Sequence, residues 1–174
     1  MFDPTAFENM RIVMEGNFYD KDLNGEMVIV DRNDCINTAK LSRTYDLSFH
    51  LSRADPLVTC RFSLKANIEN LTAELLPSIQ SNKYAGCMVT IEFIFEQTFD
   101  GLKVNEIETI LKQIWGEKRM ITLTYSYKPL LPGQKGSYQA QISFDRMITE
   151  DQIDDLIVMT DYMLQTLERL EEVL

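Results

Sequence analysis

The chain has 174 residues, 45% hydrophobic and 25% charged, with a formal net charge of −10. That length suffices for one domain with a buried core, and residues 1–174 are predicted to form a single domain. Strong negative charge without any basic run opposes phosphate backbones and anionic lipid, so neither nucleic acid nor a membrane is an expected partner.

No apolar run approaches the roughly 20 residues of a bilayer span. Met1-Phe2-Asp3-Pro4 has neither the basic nor the apolar region of a signal peptide. Cys35, Cys60 and Cys87 are odd in number and widely spaced, which is not a disulfide framework. A cytoplasmic location is therefore expected.

In chain order, a helical turn is predicted around Pro4–Met10, then strands near Arg11–Phe18 and Glu26–Asp31. Asn24-Gly25, a strong hairpin signal, lies between them, so residues 1–32 read as an N-terminal hairpin region. The same stretch carries a candidate metal site. Asp20, Asp22 and Asn24 stand at positions 1, 3 and 5 of a loop, with Gly25 at position 6 and Asp31 at position 12. This pattern resembles the EF-hand calcium loop, in which oxygen ligands at that spacing wrap a hard cation. The resemblance implies a calcium- or small-ligand-responsive module with Asp20, Asp22, Asn24 and Asp31 as ligands. It departs from the family in having Asp rather than Glu at position 12 and a β-rich run, Glu26–Val30, where a helix should follow.

A short helix is predicted around Asn33–Lys40. Five segments then alternate apolar and polar residues: Thr44–Leu51, Val58–Lys65, Val89–Glu96, Ile121–Lys128 and Tyr138–Phe144. Period two marks strands with one dry face and one wet face, and such strands favour an antiparallel sheet. Arg53-Ala54-Asp55-Pro56 joins the first pair and Pro129–Gly136 the last. Asn67 is a candidate cap for a helix that Pro77 would end. Asn105 and Glu108 resemble a capping box for a helix that Gly116 closes.

The charge is concentrated at the end of the chain. Thr149–Leu174 holds eight acids and one base, leaving 19 acids and 16 bases elsewhere. Ile153, Leu156, Thr160, Met163, Leu167, Leu170 and Leu174 recur at spacings of three and four, an amphipathic helix with its acids in water. Thr149 and Gln152 suit an N-cap and its reciprocal partner. This acidic C-terminal helix, 149–174, is predicted to belong to the same core. Val158, Met159 and Tyr162 lie off the stripe, which implies a second covering layer from the chain itself or a homodimer contact.

Catalytic signals are weak, and no catalytic residue is named. His50, the only histidine, is expected on the polar face of its strand and Cys60 on the apolar face, which denies the thiol a base. Glu92 and Glu96 are four residues apart on one strand, about 13 Å, too far for a glycosidase pair. Pro132–Ser137 has Gly, Lys and Ser, but not in P-loop order. The polar sheet face is rich in Ser, Thr and Gln, open to water or available as a flat binding or enzymatic surface.

The expected fold class is α+β: a single antiparallel sheet of five to seven strands, two or three helices packed on one face and a long C-terminal helix. From about Asn33 the predicted order is helix, three strands, helix, two strands, helix. That order and the acidity resemble the small secretion-chaperone-like fold, which implies a cytosolic dimer that binds other proteins. The expected function is that of a non-enzymatic intracellular protein-binding or chaperone-like protein, acting as a homodimer through its C-terminal helix. Asp154, Asp155, Asp161, Glu168, Val158, Met159 and Tyr162 are its candidate partner contacts. The alternatives are the calcium-responsive module and an acidic inhibitor of a basic protein.

Overall fold

The structure, a computed structural model, describes residues 5–75, 84–127 and 135–174. Among these residues it has one six-stranded antiparallel sheet and four α-helices, an α+β fold. Helix α1 (Thr5–Leu23) leads into a meander of β1 (Met27–Asn37), β2 (Ser42–Leu51) and β3 (Val58–Ala66). Then follow α2 (Ile68–Leu75), β4 (Met88–Gln97), α3 (Gly101–Trp115), β5 (Met120–Ser126), β6 (Gly136–Ser143), a 3-10 turn (Glu150–Gln152) and α4 (Ile153–Val173). The sheet order is β1-β2-β3-β4-β6-β5, which places β1 and β5 at the two edges.

The alternating segments give the register. Phe49 lies opposite Cys60, Cys60 opposite Phe93, and Phe93 opposite Ala140, all buried on the same face. The opposite face carries Ser48, Arg61, Glu92, Gln141 and Thr122 in one cross-strand row. Among the described residues helices cover only the apolar face: α4 lies over β2 and β3, α1 toward β1, and α3 toward β5. Asn9 bonds Glu150 at 2.6 Å and Lys21 bonds Asp161 at 2.9 Å, so α1 and α4 run parallel. Lys103 reaches the Leu174 carbonyl while Trp115 reaches Thr166, so α3 and α4 run antiparallel.

The N-terminal region differs from the expected hairpin. Arg11–Phe18 is helical, inside α1, because Phe7, Met10, Met14 and Phe18 form a fully buried stripe at helical spacing. Phe18 sets its ring between Phe49 and Phe62, tilted against both at centroid distances of 5.3 and 5.4 Å. Asn24-Gly25 ends this helix instead of turning a hairpin. The Glu26 N–H donates to the Lys21 carbonyl and the Gly25 N–H to the Asp22 carbonyl, with Gly25 at φ 77°. This is the Schellman closure, which needs a left-handed residue and so favours glycine.

The short helix expected at Asn33–Lys40 is also absent, since β1 runs on to Asn37 and a turn follows. The true element order therefore begins with α1 and inserts α2 between β3 and β4, which departs from the secretion-chaperone-like order. Two caps differ as well. Asn67 stands at the N-cap position of α2 as expected, but the side-chain bond there comes from Asn70 at N3, whose oxygen accepts the Asn67 N–H at 2.8 Å. Asp100 caps α3 five residues before Asn105, accepting the Leu102 N–H at 2.9 Å. Gly116 closes α3 as expected. Pro77 and Pro129–Gln134 lie outside the described residues.

A bulge between Ile29 and Asp31 switches the facing of β1. Beyond it Arg32 lies opposite Leu47 and Asp34 opposite Tyr45, on the helix side of the sheet. There they meet α1. Arg11 pairs with Glu8 and Glu15, Arg32 with Glu15, and Arg43 with Glu8 and Asp34 at 2.8 and 2.7 Å. Three bases and three acids thus seal the β1 edge over the buried Tyr45 ring, and burial pushes the Tyr45 hydroxyl's pKa up.

Two outcomes test this packing. Phe18→Ala is expected to cost about 3–5 kcal/mol in urea unfolding, through a cavity that rigid neighbours cannot fill. The ion network gives a pH signature. The Arg11 hydrogen bond holds Glu8 below its usual 4.5, and the Arg43 hydrogen bond holds Asp34 below its usual 3.8. Their contribution is complete above the ordinary carboxylate range and is lost as pH falls through the lowered values. Arg43→Gln should therefore be less stable than wild type at neutral pH, and the gap should close as acid protonates both carboxyls.

Candidate functional site: the outer face of the acidic helix

The start of α4 is built as the sequence predicts. The Thr149 N–H donates to Gln152 Oε1 at 3.3 Å, and the Gln152 N–H to the Thr149 carbonyl at 3.0 Å. Glu150, Asp151, Asp154 and Asp155 sit where the positive end of the helix dipole favours them. Leu156, Thr160, Met163, Leu167 and Leu170 are buried, with Ile153 and Leu174 partly so. The predicted stripe is the helix's core face.

The other side brings the expected partner contacts together. Asp154, Asp155, Val158, Asp161, Tyr162 and Glu168 are exposed, and Met159 is partly buried against the core. Val158 keeps 50% of its surface and Tyr162 43%, one helical turn apart and surrounded by acids. Gln165 and Glu172 complete the face. They recur seven and fourteen residues after Val158, a heptad spacing that was present in the sequence.

One edge of this face is fixed by an aromatic contact. Trp115, the only tryptophan, meets the Tyr162 ring edge-on at 5.9 Å. Its indole N–H donates to Thr166 Oγ1 at 3.0 Å, and that hydroxyl donates to the Tyr162 carbonyl. Beside it an open groove of about 420 Å³ runs between α3 and α4, lined by Glu106, Thr109, Gln113, Arg169 and Glu172, among others.

The acids differ in how the fold uses them. Asp161 holds Lys21, which Glu26 also contacts. Burial lowers the Lys21 ammonium's pKa, but these hydrogen bonds outweigh it and raise the value overall. Glu171 turns inward to Arg53 at 2.7 Å and to the Leu57 N–H. Glu168 has no ion pair among the described residues, and Glu172 lies in the last turn of α4, where the dipole disfavours negative charge.

The other candidate sites do not assemble. Asp20 and Asp22 belong to the last turn of α1, Asn24 to its closure and Asp31 to the β1 bulge. Among the described residues no three His, Cys, Asp or Glu side chains gather as a metal site, and Asp20, Asp22, Asn24 and Asp31 are not brought together as one ligand set. The cause is the continuous helix where a calcium loop would have to coil. His50 contacts the Leu51 carbonyl at 2.8 Å on the polar face. Cys60 is buried on the other face, its pKa pushed well up by desolvation, and burial pushes the Cys87 thiol up to about 12. Tyr45 faces the helices while Arg61 faces water, so these two do not share a site. On the polar face Arg61 bonds Ser48 and Glu92, and Gln139 bonds Glu92 at 2.8 Å, a self-satisfied surface.

No described helix is long and apolar enough to cross a membrane. Compared with known proteins, the chain matches no family model, no curated protein and no solved structure.

Thr166→Val is expected to cost about 1–3 kcal/mol by leaving the Trp115 N–H without its acceptor. Urea unfolding followed by Trp115 emission measures it.

Proposed function

We propose that the chain is a non-enzymatic protein-binding protein that holds a basic, amphipathic segment of another protein against the outer face of α4. The carrying observation is the pair Val158 and Tyr162, half-exposed inside a frame of Asp154, Asp155, Asp161 and Glu168. An apolar anchor ringed by one sign of charge suits a partner with the opposite ring. The position of Glu172 in the last turn of α4 supports the same reading. Acids toward the negative end of a helix oppose its stability, and such local conflicts mark functional surfaces. A chaperone-like protein and an acidic inhibitor of a basic protein would use this surface with the same chemistry. A second copy is a poor occupant here, because its own acids would meet these acids.

The test separates stability from binding. Glu168→Lys with Glu172→Lys should raise stability by about 0.3–1 kcal/mol, the gain coming from Glu172 in the last turn of the helix. The same pair should weaken binding of a Lys/Leu amphipathic helical peptide, read from Trp115 emission, by about tenfold, with salt weakening the wild-type complex. Unchanged affinity would leave the acids as a solvated face only.

A further inference from the structure

The two edges of the sheet are treated differently. The β1 edge is guarded: it carries Asp31, Arg32 and Asp34 and a bulge, and α1 clamps it with ion pairs. Charge and irregularity of this kind stop edge strands from pairing with other chains. The β5 edge has none of these devices. Met120–Ser126 reads Met-Ile-Thr-Leu-Thr-Tyr-Ser, without a charge, a proline or a glycine. Its register with β6 is unbroken from Met120 opposite Ser143 to Ser126 opposite Ser137. Ile121, Leu123 and Tyr125 lie on the apolar face, yet each stays partly exposed because nothing among the described residues covers the outer flank of the strand. Phe99 packs on Tyr125 at 5.3 Å and remains 63% exposed, extending the apolar shelf beyond the strand.

We propose that two copies of this chain join through β5, antiparallel, to form one continuous twelve-stranded sheet. The strand is self-complementary. Pairing about Leu123 sets Thr122 opposite the partner's Thr124 and Ile121 opposite the partner's Tyr125. Threonine pairs and aromatic–β-branched pairs are favourable cross-strand neighbours. Charge also selects a second copy. At net −10, two copies repel over most approaches, and a strand without charge lets their backbones meet. The two-fold axis stands perpendicular to the sheet, so both helical layers lie on the same side. The dimer thereby presents two α4 outer faces in one direction, able to engage two segments of one partner.

The experiment uses the full chain. Solution mass by light scattering across the micromolar range should show wild type moving from monomer to dimer. Thr122→Lys/Thr124→Lys places like charges opposite each other and should raise the dimer Kd by about tenfold or more. Thr122→Glu/Thr124→Glu should do the same, and mixing the two variants should restore the dimer. Wild-type β5 amides should exchange more slowly as concentration rises, a readout that needs no variant. A wild type that stays monomeric, lysine and glutamate variants that dimerise separately, or β5 exchange independent of concentration would each overturn the proposal. So would β5 protection that rises only when another protein's extended segment is added. None of these readouts depends on the acidic-face reading.

Discussion

The structure rests on the need to cover one side of a sheet and only one. β2, β3, β4 and β6 present a wall of fully buried side chains, among them Phe49, Phe62, Phe93 and Ile142. Each such side chain contributes about 1.5–3 kcal/mol when water is removed from it. Helix α4 lies over the centre of that wall, and α1 and α3 flank it. The opposite face needs no cover because Ser48, Arg61, Glu92 and Gln139 satisfy one another. Everything distinctive about the surface follows from this asymmetry. The helix that seals the core must turn its other side outward, and that side is where the acids stand.

The same asymmetry decides which strands are vulnerable. A one-layered helical cover reaches the middle of the sheet fully and its margins partly. At β1 the chain compensates with a bulge and an ion network that fold the margin against α1. At β5 it offers only the α3 side, and the strand stays half-bare. The acidic helix and the bare strand are thus separate surfaces, one shaped for opposite charge and the other for backbone pairing.

Much of this was legible in the sequence, for definite reasons. The strands β2 to β6 showed because one face of each is dry and the other wet, which writes period two directly into the residues. The acidic helix showed because stripe, cap and charge agree. Within the first 40 residues, Arg11–Phe18 and Asn33–Lys40 differ from expectation because local signals there are double-valued. Asn-Gly closes a hairpin or a helix with equal ease, and Ile12, Met14 and Phe18 mimic alternation within the helical stripe Phe7, Met10, Met14, Phe18. Only the first part of β1 showed, at Glu26–Asp31, because past its bulge an exposed edge strand has no periodicity to show and Asn33–Lys40 reads as a short helix. The site was half legible. Its acids stand in one segment, whereas Trp115, Thr166 and the groove depend on how α3 meets α4, and the Arg11–Arg32–Arg43 network joins residues from three separate elements. No local pattern encodes such meetings.

The parallel pairing of α1 with α4 has a consequence for synthesis. The first helix and the last described helix are neighbours, while five strand pairings lie between them in the chain. A growing chain can assemble its meander and even its sheet, yet the sheet's dry wall stays open until α4 has left the ribosome. Until then that wall is bare to water and to every other nascent chain nearby. A product stopped short of residue 153 would keep its strands and lose their lid, and its fate would be aggregation or proteolysis.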